Sequence, residues 1–357
     1  MKVCIVCPYG ISSPGGVWNH IVNLSNQLRS KRIDHIIVIP QSQSAYTNKN
    51  NVYQIGKPYS IKSGGSEANI VLSLLLGQEI DKFLKFHKPD VVHIHEPFAG
   101  TLPMLFIKHF KGKIISTFHS NQGTNLYKFG LSKMFKFLYK KIDTNIAVSK
   151  SAESYISKYF PNKYQIIPNG INIQYYKKTN RSLNTISNNL KLIFIGRNDK
   201  RKGLKYLINC LQEYTFDFPI SLTIIGHDYT GIKPDNIEVN NPGIVNEKNK
   251  IKYLNESDIL CAPSLGNESF GIILLEAMAS ETVIIASNIE GYNHLVTHEK
   301  NGLLIEPKSS KSIYKAINSV YHNKKMKLTM LKNGNNIIKN YGWDAISDKI
   351  IDIYRNK

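Results

Sequence analysis

The sequence predicts an α/β fold built of two doubly wound domains facing a central cleft. Three observations carry this. Short, β-branched apolar runs alternate with stretches of helical periodicity along the chain, the pattern of parallel strands joined by crossover helices. The strand-like runs are apolar throughout rather than at alternate residues, which suits sheets covered on both faces. The pattern then restarts after Ile167-Pro-Asn-Gly-Ile171, so a second unit of the same kind begins there.

Taken in order, strands are expected at Val3–Cys7, His35–Ile39, Val91–His95, Lys113–Thr117 and Thr144–Val148 in the first half. In the second half they are expected at Leu190–Ile195, Ser221–Ile225, Ile259–Ala262 and Val283–Ala286. Val17, Ile21, Leu24 and Leu28 repeat at helical spacing, so a helix follows the first strand. A polar stretch, Lys177–Asn189, precedes the new strand–loop–helix unit, and the domain boundary falls near Pro168–Gly170.

The N-terminal Lys2-Val-Cys-Ile-Val-Cys7 runs straight into a strand and reads as no signal peptide. No apolar run approaches the roughly 18 residues that span a bilayer. A soluble, cytoplasmic protein, or one lying on a membrane surface, is expected. Of the net charge of +20, most lies early: residues 1–170 carry 21 Lys/Arg against 8 Asp/Glu, residues 171–357 carry 25 against 18. That bias suggests an anionic partner such as lipid headgroups or a phosphorylated acceptor. No nucleic-acid recognition motif accompanies it, so nucleic acid is not expected. Cys4 and Cys7 have metal-ligand spacing, but strand alternation turns them to opposite faces, and buried free thiols are the better reading.

The most informative segment is Ser264-Leu-Gly-Asn-Glu-Ser-Phe-Gly-Ile-Ile-Leu-Leu-Glu-Ala-Met-Ala279. A small-residue loop delivers Glu268, a helix begins, and Glu276 follows eight residues on, about 2.2 turns later. Two carboxylates so spaced reach two parts of one long ligand, and the helix N-terminus between them suits a phosphate. A nucleotide sugar has hydroxyls at both ends and phosphate in the middle. Gly15 and Gly16, between the first strand and its helix, allow close backbone approach to such a phosphate. They form neither G-x-G-x-x-G nor G-x-x-x-x-G-K-[ST]. Arg197 and Lys202 lie on another strand-end loop and suit a diphosphate. Lys200 and Arg201 beside them read equally as solvated surface. No D-x-D occurs, so no metal site is expected and no cofactor is required, although a divalent cation could assist. His119 ends a strand, where ligands bind in such folds. His93 and His95 share a strand face, with no third ligand evident from spacing.

Together these loops resemble the family 4 retaining glycosyltransferases. The resemblance runs along essentially the whole chain. Its most specific part is Glu268-Ser-Phe-Gly-Ile-Ile-Leu-Leu-Glu276, which matches the family's E-x7-E motif; Gly15-Gly16, Phe118-His119, Ile167-Pro-Asn-Gly170, Arg197 and Lys202-Gly203 support it. Within the family, His93-Ile-His-Glu-Pro97 and Asn267-Glu-Ser-Phe-Gly271 look like the phosphatidylinositol mannosyltransferases. The resemblance implies the GT-B fold of two Rossmann-like domains, 1–169 with a returning C-terminal helix in 342–357, and 170–341. It implies a hexosyltransferase that moves a hexose, with mannose from GDP-mannose the specific expectation, to a lipid such as phosphatidylinositol. Another nucleotide sugar with another lipid or saccharide acceptor, and a nucleotide-sugar 2-epimerase of the same fold, are the alternatives. Catalytic roles are implied for His119, Arg197, Lys202 and Glu268. Donor binding is implied for Gly15, Gly16, Ser269, Phe270, Gly271, Ile272 and Glu276 along with Arg197, Lys202 and Glu268. Tyr9, Trp18 and Ser120 fall on the acceptor side. There Phe98 and Trp18 depart from the mannosyltransferases, which carry Asn and Gln.

Peripheral attachment to the inner face of the cell membrane is a further expectation. Leu126–Lys141 is aromatic and basic, with Lys133, Lys136 and Lys140 forming one stripe. Ala68–His87, with Lys82, Lys85 and Lys88 near its end, is read as a second helix of this kind.

Overall fold

The structure is a computed structural model. It describes residues 1–10, 15–42, 51–63, 66–121, 133–177, 189–232, 234 and 237–356. The chain divides into two compact units, Met1–Gly170 with Trp343–Lys357, and Ile171–Gly342.

The first unit contains β1 (Lys2–Val6), α1 (Gly16–Ser30), β2 (Asp34–Ile39), β3 (Val52–Gln54), β4 (Pro58–Ser63), β5 (Ser66–Val71), α2 (Gly77–His87), β6 (Val91–His95) and α3 (Thr101–His109). It continues with β7 (Lys113–Phe118), α4 (Lys133–Tyr139), β8 (Thr144–Ala147), α5 (Lys150–Ile156) and β9 (Tyr164–Ile166). Seven strands form one parallel sheet in the order β3-β2-β1-β6-β7-β8-β9. Both faces are covered, which is why its central strands are apolar throughout. Cys4 and Val6 pack with Phe83, Leu102 and Phe106 on one face. Val3, Ile5 and Cys7 pack on the other, with Ile21, Leu24 and Leu28 of α1 and with Trp343, Ile346 and Ile350. The four cysteines are free and buried.

The second unit contains α6 (Ile173–Tyr176), β10 (Leu190–Ile195), α7 (Leu204–Glu213), β11 (Ile220–Ile225), β12 (Glu238–Gly243), α8 (Glu247–Glu256), β13 (Ile259–Ala262) and α9 (Ile272–Ala279). It ends with β14 (Val283–Ser287), α10 (Glu290–Asn293), β15 (Leu303–Ile305), α11 (Ser310–His322) and α12 (Lys324–Ile338). Its sheet is also parallel, in the order β12-β11-β10-β13-β14-β15. The last helix, α13 (Trp343–Arg355), belongs to the first unit, where Tyr354 Oη meets His93 Nδ1 at 2.6 Å.

In each sheet the strand order reverses once, between β1 and β6 and between β10 and β13. Loops that leave the carboxyl ends of strands beside such a reversal form the ligand crevice of an open α/β sheet. These are the loops that carry the sequence motifs.

The structure adds strands that apolar runs do not reveal. β3, β9 and β15 have three residues each and close the sheets at their edges, and β12 reads Glu-Val-Asn-Asn-Pro-Gly. Edge strands need no apolar side chains on both faces, so their signal is weak. The expected helix Ala68–His87 is corrected: its first part is β5, paired antiparallel with β4, and only Gly77–His87 is helical. Of the basic aromatic stretch, residues 126–132 lie outside the described residues, as does the Lys133 side chain. In α4, Leu138 and Tyr139 are buried in the core while Phe137 is exposed.

Candidate active site

In the second unit the β10 and β13 loops touch. Gly203 follows the 3-10 turn Lys200–Lys202 with φ +72°, and a Cβ there would lie 1.9 Å from the Pro263 carbonyl oxygen. Only glycine meets both demands. Leu265 N–H donates to the Arg201 carbonyl at 2.7 Å and locks the two loops together. Lys202 Nζ consequently reaches Glu268 Oε1 at 2.6 Å. Ser264 Oγ also donates to Glu268 Oε1, at 3.1 Å, and is held in turn by the buried Tyr292 hydroxyl at 2.9 Å. Burial, and then the Glu268 charge, keeps the Tyr292 phenol well above its usual range, so it stays protonated. From the other side, Gly291 packs so closely that a Cβ would lie 1.9 Å from the Glu268 carbonyl oxygen.

The neighbouring cations differ. Arg201 is gripped by Asp199, with Nε 2.9 Å from Oδ2, and that guanidinium lowers the Asp199 carboxyl below its usual range. Arg197 is exposed, and its side chain has no partner among the described residues. It remains available for an anion.

Helix α9 starts after Gly271, at φ +82°, with no side-chain cap and no acidic residue in its first turn. The N–H groups of Ile272 and Ile273 precede the helical ladder, an arrangement that favours phosphate, while Leu274 N–H donates back to the Gly271 carbonyl at 2.9 Å. One turn further, Glu276 is buried. Its Oε1 accepts from Lys250 Nζ at 2.8 Å, and its Oε2 has no partner. Lys250 also meets Glu247 at 3.0 Å, and Glu247 accepts from the Tyr176 hydroxyl. Burial pushes the Glu276 carboxyl upward, against the pull of Lys250. Burial depresses the Lys250 ammonium, but Glu276 and Glu247 more than offset it and hold that group charged.

In the first unit, β6 runs into Glu96, a buried carboxylate at φ +46°. Its Oε1 accepts the backbone N–H groups of His119 at 2.7 Å and Ser120 at 2.9 Å, and so shapes the loop after β7. His119 Nε2 lies 2.8 Å from His95 Nδ1, and the His20 ring packs edge-on against His119, with centroids 4.9 Å apart. Burial lowers His20 to about 4 and His93 to about 3, and with neighbouring imidazoles it lowers His95 and His119 well below the ordinary value. At neutral pH, His119 is therefore a hydrogen-bonding group and not a cation.

His20, His95 and His119 offer nitrogens within 4.8 Å of one another, the one such group of three found among the described residues. Sequence spacing gave His93 and His95 no third ligand; the third and fourth imidazoles come from α1 and the β7 loop. His93 instead bonds Tyr354 and Thr117.

The structure brings together Lys202 and Glu268, and puts Ser269, Gly271 and Ile272 on the same loop and helix start. Gly15 and Gly16 are exposed at the start of α1, with nothing within 4 Å of an added Cβ. Tyr9 and Ser120 are half-buried at strand ends. Two of the expected site residues turn their side chains into the core. Trp18 is 7% exposed and packs in the core. Its spacing to Ile21, Ser25 and Leu28 places it on the buried face of α1. Phe270 is 4% exposed, with its ring against His294, so only its backbone is left to meet a ligand. Sequence reasoning missed Glu96, Ser264, Tyr292 and Lys250. Glu96 had a usable signal, a carboxylate directly after an apolar strand; Lys250, one lysine in the polar helix α8, had none.

The chain matches two families, described as Glycosyltransferase Family 4 over residues 14–175 and as Glycosyl transferases group 1 over residues 176–337. It is 26% identical to a phosphatidyl-myo-inositol mannosyltransferase of Mycobacterium tuberculosis, with 99% of this chain and 96% of the relative covered. It is 28% identical to one of Propionibacterium freudenreichii, covering 99% and 94%. In fold it is similar to a glycosyltransferase from Rickettsia africae, with TM-score 0.78, 18% identity and coverage of 99% and 97%. It is similar as well to Anabaena HepE in complex with UDP-glucose, with TM-score 0.73, 15% identity and 99% of both chains covered.

Proposed function

Because the chain belongs to the family 4, group 1 glycosyltransferases of GT-B fold, we propose that it is a retaining mannosyltransferase that moves mannose from GDP-mannose to phosphatidylinositol. The observation that carries the donor half is the Lys202–Glu268 pair at the strand reversal of the second unit, directly before the uncapped start of α9. The mannosyltransferases named above, matched along nearly the full chain, support the sugar and the lipid.

In this reading the diphosphate lies against the first N–H groups of α9 and the side chains of Arg197 and Lys202. These groups are fixed before the reaction and stabilise the negative charge that grows on the leaving β-phosphate. Gly15 and Gly16 leave room for backbone N–H groups near the phosphate. Glu268, oriented by Ser264 and Lys202, accepts hydrogen bonds from mannose hydroxyls, and Glu276 accepts from the ribose. His119, neutral and steered by His95, hydrogen-bonds the transferred sugar. The acceptor hydroxyl attacks the mannose anomeric carbon from the face the diphosphate leaves, the bond from that carbon to the β-phosphate oxygen breaks, and the hydroxyl proton passes to the departing phosphate oxygen, which retains configuration without an enzyme nucleophile. Tyr9 and Ser120 are assigned to the acceptor.

Attachment to a lipid surface fits the first unit. Leu72, Leu74, Leu75 and Phe86 are exposed, with Leu75 at 92%, and Lys82, Lys85 and Lys88 stand on or beside α2. No helix among the described residues is long and apolar enough to cross a membrane. Incubation with labelled GDP-mannose and a membrane lipid extract tests the proposal. Label in an inositol lipid, α-linked by NMR, supports it; transfer to a soluble saccharide alone removes the lipid assignment.

A further inference from the structure

Lys250 lies in α8, a helix whose sequence reads as solvated, yet its side chain is only 18% exposed. Three groups hold it. Nζ is 2.8 Å from Glu276 Oε1 and 3.0 Å from Glu247 Oε2, and it stands 5.8 Å from the centre of the Tyr176 ring. Tyr176 donates its hydroxyl to the other Glu247 oxygen, so Glu247 is fixed as well. The result is asymmetric at Glu276: Oε1 is engaged, while Oε2 is buried and makes no hydrogen bond, with the Tyr176 hydroxyl near enough to favour the ionised carboxylate.

A buried carboxylate left to itself takes up a proton. Once protonated it becomes a donor at one oxygen and loses part of its acceptor capacity. A buried acceptor without a partner is uncommon and calls for a ligand or another reason. We propose that Lys250 is the positioning residue for ribose recognition: by binding Glu276 Oε1, it leaves Oε2 as an ionised acceptor for the vicinal diol of the donor nucleoside. This rests on the reading of Glu276 as the ribose-binding carboxylate. It adds that selectivity for ribose over deoxyribose comes from the ion pair and not from Glu276 alone.

The test compares GDP-mannose with its 2′-deoxy and 3′-deoxy analogues, measuring kcat and KM separately. The wild type is expected to favour the ribose donor about tenfold or more in kcat/KM, the range of one charged hydrogen bond. Lys250→Met is expected to raise the KM of GDP-mannose about tenfold and bring the ribose/deoxyribose ratio to about twofold, with kcat changed less than about threefold. Lys250→Met strands a buried acid and can compromise folding. The double variant K250M/E276Q leaves no buried unpaired charge, because Glu247 is 59% exposed and keeps the Tyr176 hydroxyl, and it is expected to melt near the wild-type temperature and show at least the same loss of selectivity. A selective wild type with an equally selective K250M overturns the role of Lys250 and leaves the ribose reading of Glu276 standing, whereas an equally selective folded double variant, which lacks the Glu276 carboxylate, overturns both. A wild type that does not distinguish the analogues overturns both.

Discussion

Exchanging Glu268 for Gln changes one oxygen to an amide nitrogen and keeps the side-chain shape. Glu268 Oε1 accepts from Lys202 Nζ at 2.6 Å and from Ser264 Oγ at 3.1 Å, in a side chain 16% exposed beside a lysine 21% exposed. An amide oxygen offers both partners a weaker acceptor, and Lys202 loses its counter-charge. Hydrogen bonds to charged groups contribute about 1.5–3 kcal/mol each, so losing one in the transition state lowers kcat/KM by roughly 10–150-fold. The loss falls on kcat, because the ionised Glu268 holds the mannose hydroxyls more strongly as the sugar gains positive charge in the transition state. The pair is mostly buried, but E268Q keeps the side-chain shape and one acceptor oxygen, so the expected change is a fall in melting temperature of about 2–4 °C for each kcal/mol lost. Initial rates with labelled GDP-mannose, measured for E268Q, K202M and the double variant, give the coupling. The double variant should lose less than the product of the single losses, since both remove the same interaction. A kcat/KM for E268Q within about twofold of wild type, or strictly multiplicative losses, refutes the reasoning.

Four further outcomes follow from the geometry. Tyr292→Phe removes the hydroxyl 2.9 Å from Ser264 Oγ; stability should fall about 1 kcal/mol by urea denaturation and kcat should fall several-fold with KM steady, whereas an unchanged kcat detaches Tyr292 from Glu268. Gly203→Ala combines φ +72° with a Cβ 1.9 Å from a backbone oxygen, so it should destabilise by at least about 2 kcal/mol. Gly16→Ala meets nothing within 4 Å and should leave the melting curve unchanged while raising donor KM, and equal thermal behaviour of the two alanine variants contradicts this contrast. His20 and His93 are lowered to about 4 and about 3 by burial, so below the unfolded value near 6.5 the unfolded chain binds protons that the folded chain does not. Stability should be flat in these groups above pH 7 and fall as pH drops, by roughly 1.4 kcal/mol per pH unit for each well below 6.5. Equal denaturation midpoints at pH 5 and pH 7 contradict that sign.

The parts of the site that were legible are those built within one segment. Glu268 and Glu276 sit on a single loop and helix, so their separation follows from helix geometry alone. Arg197 and Lys202 share one strand-end loop. What was not legible depends on packing between segments. Lys202 and Glu268 are 66 residues apart, and nothing in either motif says that glycine at 203 lets their loops touch. Lys250 looks like a surface lysine until α6, α8 and α9 enclose it. His20, His95 and His119 come from three elements and meet only at the ends of β6 and β7. Trp18 shows the opposite failure: the resemblance put it on the acceptor side, but the helical period already set it among the core residues of α1. The polar β12 escaped notice because an edge strand does not need a doubly apolar pattern.

The most direct test of the central claim is mannosyl transfer itself. The purified full chain is incubated with GDP-[14C]mannose and vesicles containing phosphatidylinositol, and the organic and aqueous phases are counted. Label is expected in an inositol lipid, dependent on phosphatidylinositol and reduced at least about tenfold with E268Q. Label confined to the aqueous phase, as free mannose, a soluble glycoside or a rearranged nucleotide sugar, contradicts it.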